Sequence, residues 1–167
     1  MPDFVVERLT VDRISLAYPL IREVAPSLDL QRWTRFARRA ADPRRAPQGG
    51  ILVVRRPPRP YPCGLVCYRR DADLEHNAVL TAEYFVAMDV LDPAAALEAL
   101  VAELESEARR LGCHAVRSIL QGASPRVAAE LLAANHQPDG RMLVKVLGGQ
   151  APSAKPPTPE KVAGKAD

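Results

Sequence analysis

The sequence predicts an α/β protein, a mixed sheet with helices on both faces, in the order β-α-α-β-β-β-α-β-α-β. Three observations predict it. Short β-branched or alternating segments such as "GGILVVRR" and "AVLTAEYFVAMDVL" have the pattern of strands. Between them lie segments with apolar residues three and four apart, opened by capping residues, which is the pattern of amphipathic helices. The 167 residues are enough for one domain with a full core and no disulfide or metal staples.

The elements follow in order. "DFVVERLTV" is a first strand. "DRISLAYPLIREVAP" is a helix with Ile14, Ala17, Ile21 and Val24 on one face, and Pro19 inside it is expected to bend or delay it. "SLDLQRWTRFARRAAD" is a second helix, capped by Asp29, with Leu30, Trp33, Ala37 and Ala40 as its buried stripe and Arg32, Arg35, Arg38 and Arg39 on its other faces. "GGILVVRR" and "CGLVCYRR" form a hairpin, because the proline-rich link "PPRPYP" cannot be strand interior. The run Ala78–Leu91 is long enough to imply a bent or bulged strand. Asp92 and Pro93 open the best-formed helix, with Leu97, Leu100, Val101, Leu104, Ala108 and Leu111 at helical spacing. Glu98, Glu103, Glu105 and Glu107 are expected to face water, and Gly112 to end the helix. "HAVRSIL" is a strand. "SPRVAAELLAAN" is a helix capped by Ser124, with Asn135 suited to a left-handed stop, and "RMLVKVL" is the last strand.

Composition excludes several function classes. No apolar run approaches the ~20 residues that span a bilayer, and "MPDFVVERLT" lacks a basic-then-apolar leader, so a cytoplasmic protein without a membrane partner is expected. Cys63, Cys67 and Cys113 are an odd number without partner spacing, and His76, His114 and His136 stand apart. Neither disulfides nor a metal site is expected. Met1–Arg70 holds 14 arginines against 6 acids, whereas Asp71–Leu147 holds 6 basic residues against 12 acids. Such asymmetry suits an acidic partner, although an arginine- and proline-rich composition also follows from a GC-rich bacterial genome. Nucleic acid is not expected as a partner: the basic half has no recognisable module and only Trp33 and Phe36 as interleaved aromatics. From Gly148 to Asp167 the chain is poor in large apolar residues and rich in proline, and is expected to be a disordered tail after one domain over residues 1–147.

The element order, together with "LEALVAELESEARRLGC" and "SPRVAAELLAANHQPDGRMLVKVL", resembles the GCN5-related N-acetyltransferase (GNAT) superfamily over Val5–Leu147. The resemblance implies a centrally splayed sheet, acetyl-CoA as cofactor and a small-molecule or protein amine as acceptor, and it is compatible with a homodimer. It implies cofactor contacts from Met88, Asp89 and Val90 and from the helix start Ala94, Ala95, Ala96 and Leu97. Trp33, Arg35 and Arg39 would lie on the substrate side. In the family a glycine-rich turn before the third helix cradles the cofactor's pyrophosphate with backbone amides. The aligned positions here are Asp92, Ala95 and Leu97. Asp92 as N-cap would take amides that a phosphate needs and would repel it, and Pro93 removes a donor.

Transfer to an amine needs a polarised thioester carbonyl, a base for the amine and an acid for the leaving thiolate. The resemblance assigns the first to backbone N–H groups of the bulged fourth strand, expected within Ala87–Val90. Glu83 is the best-placed candidate base, with Asp89 behind it. Leu131 stands where the family often has a tyrosine acid, which leaves Tyr84 or Tyr68 as substitutes. Cys113 and His114 alternate across a strand and make no nucleophilic pair. Two readings follow: an atypical acyl-CoA-dependent N-acetyltransferase, or a catalytically inactive relative that binds a ligand or a protein.

Overall fold

The computed structural model describes residues 4–121 and 125–140, and through Gln137 the described chain is one compact unit. The expected cap Ser124, the strand Arg141–Leu147 and the tail from Gly148 lie outside the described residues. Five strands form one sheet in sequential order: β1 (Val5–Arg8), β2 (Gly49–Arg55), β3 (Gly64–Asp73), β4 (Asn77–Ala87) and β5 (Ala115–Ile119). The first three junctions are antiparallel. The β4–β5 junction is parallel, made by a crossover through α3 (Pro93–Arg110), as a parallel neighbour requires. Helices α1 (Ile14–Val24), α2 (Leu30–Ala40) and α4 (Pro125–Ala133) complete the set. No described helix is long and apolar enough to cross a membrane.

Strand alternation sorts the core into two layers. Leu52, Val54, Val66, Tyr68, Leu80 and Ala82 pack with Leu97, Leu100, Leu104 and Ala108 of α3 and Val127 and Leu131 of α4. Ile51, Val53, Leu65 and Cys67 point the other way, onto Ile14, Ala17 and Ile21 of α1 and Trp33 and Ala37 of α2. A sheet buried on both faces explains why its central strands read as continuous apolar runs.

Several local signals act as their chemistry dictates. Asp29 accepts the Arg32 amide at 2.8 Å. Gly112 and Asn135 both take positive φ (68° and 63°). Each closes its helix with paired backbone bonds, Cys113 N–H to Ala108 O and Gly112 N–H to Arg109 O, then His136 N–H to Leu131 O and Asn135 N–H to Leu132 O. This is the stop that a left-handed residue permits. Helix α1 runs through Pro19.

Other expectations are corrected. Leu30 is exposed although its spacing put it on the buried stripe of α2; it is the first helical residue, where the core has not yet closed over the helix. β3 runs three residues beyond Arg70 to Asp73, where the Asp73 carboxylate accepts the Glu75 and His76 amides and turns the chain into β4. β4 stops at Ala87 rather than Leu91. Glu107 is buried rather than solvated, since it lies three residues beyond Leu104, on the edge of the apolar stripe of α3.

Candidate functional site

The site is built around an irregularity in the pairing of β4 with β3, close to where the β4–β5 ladder ends. Opposite Val66, β4 spends one residue more than β3: Leu65 pairs with Val86, but Cys67 pairs with Glu83. Tyr84 absorbs the extra residue with φ of 60°, a conformation costly for a bulky side chain and most often retained at functional sites. The bulge therefore falls at Tyr84, earlier than the expected Ala87–Val90. It lets two successive side chains face one way: Tyr84, like Cys67 opposite Glu83, packs on the α1/α2 side, whereas Phe85 turns to α3.

The pairing of β4 with β5 ends at Glu83–Ile119. Just beyond it, the Tyr84 N–H donates to Gln121 Oε1 at 2.8 Å, so a side chain bridges the two strands where their ladder stops. Glu83 accepts from Arg69 Nη1 at 2.6 Å and its other oxygen lies 3.5 Å from Gln121 Nε2. The Tyr84 phenol is pushed up by partial burial and by the Glu83 carboxylate beside it, so it keeps its proton at neutral pH. Beneath them the Cys67 thiol is buried, and desolvation raises it further from ionisation. Tyr68, the other tyrosine considered as an acid, faces α3 instead and donates to Glu107 at 2.7 Å.

After β4 the chain makes a compact turn organised by two carboxylates. Asp89 is only 5% exposed. Its Oδ1 accepts the Leu91 and Asp92 amides at 3.0 and 2.8 Å, and Arg56 clamps both oxygens at 3.1 and 2.9 Å. The arginine and these amides hold its carboxyl well below the usual range. Asp92 Oδ1 accepts the Ala95 amide at 2.9 Å. The Met88 amide donates to Cys63 O. Hence the donors that open α3 are largely taken from within, and among the described residues the Ala94 amide is the one in the first turn without a protein acceptor. Ala96 and Leu97 are fully buried: the Ala96 amide already donates to Asp92 O, and Leu97 serves the core rather than a ligand. Met88, Val90 and Leu91 stand out into solvent (Val90 is 88% exposed), because Asp89 turns the backbone there before it can extend the strand.

The expected substrate trio is not one site. Trp33 is 0% exposed, and its indole N–H donates to Ile14 O at 2.8 Å; it ties α2 to α1. Arg35 and Arg39 stand on the opposite, solvent side of α2. The arginine-rich spacing that suggested a binding rim belongs to a helix that turns its tryptophan inward. Two residues at the site were passed over by sequence reasoning. Arg56 is one of two arginines ending a strand, and Gln121 is a lone glutamine after β5; neither carries a local signal. Among the described residues no three His, Cys, Asp or Glu come together as a metal-binding set.

The bulged strand and the parallel crossover through α3 belong to a mixed α/β fold that this chain shares with solved acetyltransferases. Aminoglycoside N-acetyltransferase AAC(6′)-Iy, solved in complex with CoA, superposes with TM-score 0.69 at 10% identity over 86% of this chain and 94% of that one. Glucosamine-6-phosphate N-acetyltransferase from Arabidopsis thaliana gives 0.64 at 12% identity over 87% and 99%. An acetyltransferase from Trypanosoma brucei gives 0.65 at 21% identity over 87% and 100%. No protein-family model matches the sequence, and no curated protein is detectably similar to it in sequence.

Proposed function

We propose that the protein is an atypical N-acyltransferase that moves an acetyl group from acetyl-CoA to an amine, with Asp92 as a displaceable occupant of the cofactor's diphosphate position. The observation that carries this reading is the bulge at Tyr84, set where the β4–β5 ladder ends and one short turn before a helix N-terminus. Binding of the cofactor's diphosphate at this helix start would require Asp92 to move. Asp92 is exposed and its carboxylate holds one amide, so rotation of one side chain would free Ala95 beside the open amide of Ala94. Asp89 is buried under Arg56 and stays in place as the shape of the turn.

The cofactor would supply an activated acyl thioester. Glu83, once released from Arg69, would accept the proton lost by the attacking amine. The Tyr84 hydroxyl, protonated at neutral pH, would donate a proton to the sulfur that leaves. Gln121 would hold the bulge amide in register. Both side chains face the α1/α2 side, so on this reading the acceptor would approach from there.

A second reading is favoured by one specific observation: Asp92 and Asp89 together satisfy the amides of Leu91, Asp92 and Ala95. On that reading the helix start is merely self-capped and the protein is a non-catalytic binding module. Asp92→Ser separates the two, because serine still caps a helix but carries no charge. The transferase reading expects acetyl-CoA to raise the melting temperature of the wild type, and affinity to rise roughly three- to fivefold in Asp92→Ser as a repelling charge leaves the helix end. It further expects Tyr84→Phe to lower turnover on a generic primary amine by about 100-fold with little change in CoA binding. If neither protein shifts at millimolar acetyl-CoA, the binding-module reading stands.

A further inference from the structure

The arginines of this chain differ in what they meet: Arg22 lies over the Tyr18 ring and Arg70 donates to Leu111 O, while others pair with carboxylates. Arg8, Arg13, Arg55, Arg56, Arg69, Arg109, Arg110 and Arg117 each meet a carboxylate. The arginines of α2 and of the short turn after it, Arg32, Arg35, Arg38, Arg39, Arg44 and Arg45, are all exposed and meet none among the described residues. The carboxylates nearest to them in sequence are already used, Asp29 on the Arg32 amide and Asp42 on the Arg44 amide. Within α2, Arg35 has arginines three residues before it and three and four after it, like-charge spacings that weaken a helix. The dipole offsets this only for Arg38 and Arg39 in the last turn.

One face of α2 adds a second feature. Arg32, Arg35, Phe36 and Arg39 recur at the i, i+3, i+4, i+7 spacing that places side chains together on a helix. Phe36 is 46% exposed and its ring lies on the buried Trp33, with centroids 6.2 Å apart and planes 29° from parallel. A large ring is thus held in place on the surface, rimmed by three guanidinium forks. Fixed aromatics and arginines are what dominate protein interfaces, since little freedom is lost on binding and both surrender water for strong contacts. A convex helix with an apolar centre suits a partner with an apolar stripe between carboxylates better than a phosphate backbone, which leaves the ring no apolar surface.

We infer that the solvent face of α2 is a docking surface for an acidic amphipathic helix of another protein. Glutamates on either side of a leucine stripe would pair with Arg32, Arg35 and Arg39, and the stripe would cover Phe36. This holds whether or not the protein transfers acyl groups, because none of these residues belongs to the β4–α3 site.

The test uses the full chain and a labelled synthetic peptide with glutamates flanking a leucine stripe, followed by fluorescence anisotropy. Single- and double-stranded 20-mer DNA serve as competing probes. The peptide is expected to bind saturably, at least tenfold more weakly at high salt than at low salt. Arg35→Glu/Arg39→Glu should weaken it by at least about tenfold and Phe36→Ala by roughly five- to tenfold, while Arg35→Lys/Arg39→Lys keeps most of the binding. The reversed residues have no partner to lose, so the melting temperature of that variant should stay within a few degrees of wild type; this control separates docking from folding. Absence of peptide binding, or peptide binding that the reversal leaves unchanged, overturns the proposal. So does DNA binding tighter than the peptide's and abolished by the same reversal, which would make the face a nucleic-acid surface.

Discussion

The two ends of α3 both set carboxylates against arginines, with opposite consequences. At the N-terminal end Asp92 and Asp89 sit where the helix dipole favours anions and where unpaired amides await acceptors. Asp92 is solvent-exposed and held by one hydrogen bond. At the C-terminal end Glu107 sits against the dipole and is buried. It is tolerated because Tyr68 and Arg8 donate to one oxygen at 2.7 and 2.9 Å and Arg110 grips both oxygens at 2.5 and 2.6 Å. Burial alone would raise the Glu107 carboxyl, but these donors outweigh it and hold it low. The Tyr68 phenol is driven up by burial and by its bond to Glu107. One end carries an exposed cap whose carboxylate holds one amide; the other carries a clasp that joins β1, β3 and α3.

The largest effect should come from breaking the clasp. Glu107→Leu leaves the Tyr68 hydroxyl and Arg8 without their shared acceptor, and stability should fall by about 2–4 kcal/mol, read from the denaturant midpoint. Gly50→Ala attacks the same clasp from β2. A methyl group there would lie 2.6 Å from Arg8 Nη2 and 2.9 Å from Tyr68 Oη, and forcing them aside should cost about 1–3 kcal/mol. At the other end, Asp92→Ala should cost only about 1 kcal/mol, the usual value of a lost cap, and Asp92→Ser less. A loss at Asp92 equal to that at Glu107 would erase the distinction between cap and clasp.

The smallest effect appears only in acid. The Asp89 carboxyl is held below its unfolded value, so the stability it contributes is complete above about pH 4 and is lost as pH falls through the lower folded value. Asp89→Asn should therefore flatten the decline of the unfolding free energy below pH 4 while leaving its shape near neutrality unchanged. A wild-type curve no steeper than the variant's would remove Asp89 from the acid response.

Legibility in the sequence followed locality. The caps Asp29 and Asp92, the stops Gly112 and Asn135 and the apolar stripe of α3 depend on residues within a turn of one another, and their spacing reveals them. The existence of a bulge was legible from the length of the Ala78–Leu91 run, but its place at Tyr84 was not, because register depends on what β3 offers opposite. Trp33 illustrates the same limit. Its spacing marked it as buried and its arginine neighbours suggested a rim, and only the packing of α2 on α1 decided between them. Arg56 and Gln121 gave no signal because their partners lie 33 and 37 residues away.

By itself the sequence determined the order of elements, the two-faced sheet and the aspartate that closes the start of α3, since periodicity and capping are properties of neighbouring residues. Tertiary structure alone decided where β4 bulges, that Glu107 is buried in a clasp, and that Glu83 and Tyr84 share a face while Trp33 turns away from Arg35 and Arg39. Those outcomes depend on which distant strand or helix supplies the opposing surface, and chain closure, not local preference, settles that.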